Sequence, residues 1–217
     1  MRHTCRLSIL TFMTILLFTG TAVAQSPGPY AGLFAGGNVP GSSTASDGGG
    51  DFGISFTPSI QGSAVLGWNL EPGSSVGEGR VELEYSHRSN RLDRVTFVEG
   101  SVAGGGELTS DSLLFNCFAV SREEGQYHPY LGVGAGVARV VAANLTVSGQ
   151  PFSNDSSIVF AYQAGIGLDI NLTDRLTLDL GYRFFATSPV RFTEASGQIL
   201  EMGYASHAAV IGIKAGF

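Results

Sequence analysis

Charge is scarce in this chain. Asp, Glu, Lys and Arg make up 14% of 217 residues, against roughly a quarter in an average soluble domain. Acids outnumber bases 18 to 12, which argues against nucleic acid as a partner, since that needs a basic face. Cysteine is nearly absent: Cys5 and Cys117 are the two there are. That excludes a disulfide framework and any Cys-rich metal or redox motif. After the first twenty residues, no apolar run approaches the roughly 18 residues of a membrane-spanning helix. If the chain crosses a bilayer, it crosses as strands. Disorder is excluded as well, because 43% of the residues are apolar and recur in short, spaced bursts.

The N-terminus reads as a secretory signal over residues 1–24. Arg2 and Arg6 supply the positive region, Leu7 to Gly20 the apolar stretch, and Ala22-Val23-Ala24 an A-x-A cleavage site. Cleavage after Ala24 leaves residues 25–217 as one domain, removes two arginines and takes the formal charge from −6 to −8.

Eight segments then alternate with period two, the signature of strands with two unlike faces. They run over 29–37, 52–70, 80–96, 107–120, 129–146, 157–171, 175–187 and 203–217. In the third, Val81, Leu83, Tyr85 and His87 share one parity, and Arg80, Glu82, Glu84, Ser86 and Arg88 the other. The fourth is ambiguous and favours Leu113, Phe115, Cys117 and Ala119 outward. In the fifth, Gly132, Gly134 and Gly136 share a face. Glycine weakens a strand, but such a face leaves room in a narrow barrel for large side chains opposite. The run is not G-x-G-x-x-G between strand and helix, so a nucleotide loop and its cofactor are not implied.

The gaps alternate too. Stretches 38–51, 97–106, 147–156 and 188–202 are polar and read as loops, the first of them mobile, whereas the gaps after the second, fourth and sixth segments are mostly shorter. Long loops at one end and short turns at the other describe an eight-stranded antiparallel transmembrane β-barrel. Glycines and charges share one face while large apolar side chains share the other, the reverse of a soluble barrel. Trp68 and Phe217 fall at one end, and Phe160, Tyr162, Tyr182 and Phe184 nearer the other, as two aromatic girdles would.

The Tyr30-Ala31-Gly32-Leu33 opening, the strand from Arg80 to Ser86, the strand from Pro129 to Gly136 and the ending from His207 to Phe217 resemble the small OmpA-like outer-membrane β-barrel family. The resemblance covers nearly the whole mature chain. It implies a Gram-negative outer-membrane location and a terminal Phe217 that acts as the signal read by the barrel-assembly machinery, while no peptidoglycan-binding domain is expected here, since the eighth segment runs to Phe217. It does not fix a role, because such barrels include adhesins, surface antigens, anchors and narrow pores.

Parity places Glu82, Glu84, Asp169, Asp179, Arg183 and Lys214 in the lumen. Buried charges must be paired, so Asp179 is expected beside Lys214, and Arg183 beside Glu84 or a partner beyond it. The set reads as a salt-bridged plug or as a gate. His87-Arg88-Ser89-Asn90 is similar to the H-x-S-N run of lipid A deacylase barrels. There a His and a Ser act on a lipid ester, but a His–Ser pair needs an acid, and neither Asp93 nor Glu107 is visibly placed to supply it. Arg139, on the lipid-facing parity, and Arg88, Arg91 and Arg94, clustered above it, are expected to meet lipopolysaccharide phosphates, which suit the guanidinium fork. The expected role is structural, or interaction with an external ligand through the loops. A narrow porin is the alternative, and a lipid-modifying esterase a more distant one.

Overall fold

The computed structural model describes residues 27–46, 50–71, 78–122 and 125–217. The signal segment, its cleavage site and the Pro72-Gly73 turn lie outside them.

Eight strands close into a ring: β1 (Gly28–Pro40), β4 (Ser59–Asn69), β5 (Gly79–Phe97), β6 (Gly100–Val120), β7 (Tyr127–Val147), β8 (Gln150–Asn171), β9 (Leu176–Thr187) and β12 (Ala205–Gly216). Each pairs antiparallel with its neighbours, and β1 pairs with β12 to close the wall. Side chains alternate through it. Leu33, Leu66, Leu83, Phe115, Val133, Ile166, Tyr182 and Ile211 stand exposed on the outside, while Glu82, Asn116, Asp169 and Lys214 are buried within. The outward parity of Leu113, Phe115 and Cys117 is the one the sequence favours. No helix among the described residues is long and apolar enough to span a membrane, which says nothing of strands.

The register fixes the tilt. A row of paired residues runs Ala215, Ala31, Leu66, Leu83, Phe115, Ala135, Tyr162, Ala186 and back to β12 at Ala205. One circuit therefore climbs ten residues. With eight strands, a rise of about 3.3 Å per residue and a spacing of about 4.8 Å, the strands lean about 40° from the axis, within the usual range for such barrels.

The stretches expected as loops are largely strands. β2 (Ser43–Ser46), β3 (Asp51–Phe56), β10 (Val190–Thr193) and β11 (Ile199–Met202) join the upper halves of β5 to β8 in a crown above the wall. Within 38–51, positions 47–49 lie outside the described residues. The segment read as one strand over 52–70 divides at Thr57-Pro58, with β3 pairing the crown part of β5 and β4 its wall part. β5–β6 and β7–β8 turn back through hairpins at Phe97–Gly100 and Val147–Gln150. The reason is burial. Ala45, Phe52, Ile54, Leu92, Val95, Leu145, Val190, Phe192, Leu200 and Met202 form an apolar core inside the crown. These side chains are too dispersed in sequence for any local window to show a core.

Where crown meets wall, the ladders slip. Register shifts fall between Arg91 and Arg94, between Gly105 and Glu107, and between Ala142 and Leu145. Gly106 and Asn144 take left-handed φ values of 89° and 48° there, as bulges require. Inward parity changes across them, from Leu92 to Val95 on β5 and from Ala142 to Leu145 on β7.

Candidate functional site

The lumen holds two polar layers beneath the crown core. The lower layer centres on Arg80. β5 brings it inward near the end with the short turns, where its guanidinium donates from Nε to Glu82 at 2.8 Å, from Nη1 to Asp169 at 2.5 Å and from Nη2 to Asp179 at 3.3 Å. Lys214 on β12 donates to the same two aspartates, at 2.6 Å to Asp169 and 3.1 Å to Asp179. Tyr30 donates to Glu82 and Tyr130 to Asp179, both at 2.6 Å. Arg183 donates to the Tyr130 hydroxyl at 3.0 Å. Three carboxylates thus face two cations directly, and a third cation through a tyrosine. All are buried. In so dry a setting a lone charge is costly, and the shared pairing is what makes these residues tolerable, although Glu82 Oε2 is buried without a hydrogen-bond partner.

Glycine makes the room. Arg80 and Arg183 lie on one tilted row, Arg80–Phe118–Gly132–Gly165–Arg183. Both guanidinium groups sit over the Phe118 ring, at 4.7 and 4.9 Å from its centroid. A β-carbon added at Gly132 would strike Phe118, and one at Gly167 would strike the Tyr130 hydroxyl.

The second layer holds Glu84 and Arg88. Glu84 accepts from Ser86 at 2.6 Å, Asn116 at 2.8 Å and Gln163 at 2.9 Å. Its hydrogen-bond partners are therefore amides and a hydroxyl, and Arg183 is turned to Tyr130. Arg88 corrects the expectation that it clusters at the surface for lipopolysaccharide. It is 1% exposed, lies over the Phe185 ring at 4.0 Å and donates to Ser112 at 2.9 Å. Even parity on β5 aims it inward, the face on which the sequence also put it. Above it Tyr204 and Asn38 both donate to Asn90 at 3.0 Å, and the apolar crown core begins.

Cavities inside are small. A space of about 10 Å³ among Glu82, Glu84, Arg183 and Phe34 has room for about one water. A vestibule of about 360 Å³ opens at the end with the short turns, lined by Tyr30, Asn69, Arg175, Thr177 and Lys214. Phe217 lies at its rim, exposed, with its backbone N–H bonded to Pro29 at 3.2 Å.

Sequence parity had Arg80 inward but did not single it out. It also left Tyr30 and Tyr130 unnoticed. Arg80 is the residue joining all three lower carboxylates, and only the register across five strands reveals it.

His87 and Ser89 of the H-x-S-N stretch face outward at the top of the wall, while Arg88 and Asn90 between and after them are buried in the lumen. His87 Nδ1 lies 2.8 Å from Asp111, which also accepts from Tyr85 at 2.7 Å. Asp111 is an acid that local spacing does not find, since it comes from the neighbouring strand. Ser89 bonds to Glu107 instead of to His87, so the nucleophile–base contact that ester attack needs is not made. Arg139 stands exposed beside Asp111, and Arg91 and Arg94 are exposed higher on β5. No group of acidic, His or Cys side chains among the described residues is arranged to hold a metal.

The sequence matches no protein-family model and no curated protein. Its fold has known counterparts. Neisserial surface protein A matches over 87% of this chain and 97% of its own, at 14% identity and a TM-score of 0.53. Outer membrane protein OprG from Pseudomonas aeruginosa matches over 91% and 99%, at 12% identity and 0.58. Outer membrane protein AlkL, solved in lipid bilayers, matches over 92% and 95%, at 16% identity and 0.52. At these identities the likeness defines the fold, an eight-stranded antiparallel barrel of the kind found in small outer-membrane proteins. It does not single out the OmpA-like branch.

Proposed function

We propose that the chain is an integral outer-membrane barrel whose lumen is a structural plug and whose crown presents a surface for interaction outside a Gram-negative cell. The observation that carries this reading is the stacking of closures along the axis. The Arg80–Lys214 network fills the lower lumen, and the apolar crown core fills the upper one. An eight-stranded ring is just wide enough for side chains to fill, and here they do. The exposed apolar belt, the two aromatic ends and the secretory leader support the location.

The narrow porin is the second reading, favoured by the charged lumen and the polar vestibule beneath Lys214. Single-channel conductance of the refolded mature protein in a planar bilayer decides between them, wild type beside Lys214→Ala and Arg183→Ala. Silence from a protein shown to be folded is the expected result. Steady conductance altered by either substitution would replace the plug with a charge-lined pore.

A further inference from the structure

The wall is not evenly studded. On strands β12, β1 and β4, Ala215, Ala31 and Ala64 stand among larger outward side chains, as Ala119, Ala135 and Ala164 do elsewhere on the wall. An apolar groove of about 540 Å³ lies over them, walled by Leu33, Leu66, Leu83 and Ile213 and ending at Tyr85 and Leu113. Because rows climb from β12 toward β6, the groove rises toward the crown as it runs. Its upper end is polar. The Tyr85 hydroxyl bonds to Asp111, and the next row up reads Ala35, Gly62, His87, Asp111, Arg139. Asp111 is engaged by Tyr85 and His87, and Glu107 by Ser89. Arg139 lies in the field of the Asp111 carboxylate paired beside it but makes no hydrogen bond or ion pair among the described residues, so its fork is open to a partner. Arg91 stands on the same outward face, four residues beyond His87 and two strands from Arg139, roughly 16 Å away by strand geometry.

We propose that this groove and the row above it seat one lipopolysaccharide molecule, with an acyl chain in the groove and phosphate on Arg139. The inference rests on the outer-membrane reading above. Two features argue for this occupant. The groove offers walls on both sides of a single chain, which a flat belt does not. The free cations at its head are arginines spaced for a headgroup bearing more than one phosphate, and a guanidinium meets phosphate with two parallel bonds. Tyr85 marks the boundary, its ring in the groove and its hydroxyl in the polar row.

The test is native mass spectrometry of the full mature barrel, refolded into bilayers containing lipopolysaccharide or phosphatidylglycerol and then extracted in mild detergent. Wild type should retain one lipopolysaccharide per barrel. Arg139→Ala, Arg139→Gln and the groove-filling Ala64→Phe should each reduce retention about tenfold, on the scale of a single charge-assisted hydrogen bond. Arg191→Ala, in the crown and paired with Glu201, should leave it unchanged. Retention unaltered in both Arg139 variants and in Ala64→Phe overturns the proposal, and so does phosphatidylglycerol held as tightly as lipopolysaccharide. Heat-modifiable electrophoretic mobility, read on the same samples, reports barrel insertion. A wild type that fails there sinks the outer-membrane reading itself, a separate outcome.

Discussion

Arg80 and Asp169 lie 89 residues apart in the chain and meet at 2.5 Å inside the lumen. Arg80 also reaches Glu82 and Asp179, so removing it leaves Glu82 with no cation and leaves Asp169 and Asp179 to share Lys214. Arg80→Met should destabilise the barrel by about 3–5 kcal/mol, the usual cost of breaking a buried ion pair from one side. Adding Asp169→Asn should recover part of the loss, because one uncompensated charge goes with it. Urea unfolding in lipid vesicles measures both; a single-variant loss under about 1 kcal/mol would mean the network is not holding the wall.

Two glycines test the packing argument. A methyl at Gly167 would collide with the Tyr130 hydroxyl, whereas one at Gly37, on the outer face, would meet nothing. Gly167→Ala should cost about 1–3 kcal/mol, as overpacking does, and Gly37→Ala should stay within about 0.5 kcal/mol of wild type. Equal effects in the same unfolding assay would refute the claim that Tyr130 sets the glycine.

Asp155 closes the crown. Just past the end of β10, Glu194 makes an isolated bridge to Ser153 of β8, and beside it the Asp155 carboxylate accepts from the Thr193 N–H at 2.9 Å. The backbone N–H groups of Thr193 and Ser156 hold this carboxyl below the ordinary aspartate value. A depressed folded value means the contribution is present above the unfolded pKa and is lost as pH falls through the folded one. Amides of 190–193 should therefore exchange faster once the pH drops below the usual aspartate range of about 4. Asp155→Asn should show fast exchange already at neutral pH, with the acid dependence gone.

Trp68 is the sole tryptophan and stands exposed near the end of the wall with the short turns. In vesicles, lipids brominated on the acyl chain should quench its fluorescence more strongly than aqueous iodide does. Cys117, outward on β6 and the one thiol among the described residues, should react with a charged maleimide in urea and resist it in the bilayer. The opposite pattern at either residue would place the apolar belt out of lipid.

The wall was legible in the sequence because its code is uniform. From Arg80 to Asn90 each even residue on β5 is buried, and Glu82 and Glu84 follow directly. Lys214 and Asp179 were legible as neighbours for the same reason. Arg80 as the hub was not, because its partners sit on β5, β8 and β9 and are brought to one height by the tilt. The crown was illegible for a different reason. Ser43 to Ser46 has turn-forming composition, yet it becomes a strand because β3 and β11 flank it and Ala45 is buried. Period-two counting also fails past Leu92, where the bulge moves Val95 onto the inward face. His87 found its acid only through pairing, since Asp111 follows it by 24 residues.

The row of bulges across the three ladders from β5 to β8 also bears on how such a molecule changes over generations. A one-residue slip along an uninterrupted ladder turns every later side chain to the wrong face. Here the ladders already slip at one level, at Arg91/Arg94, Gly105/Glu107 and Ala142/Leu145. Insertions or deletions in the outer part can be absorbed there without passing into the lipid-facing part. The two storeys are thus free to diverge at different speeds.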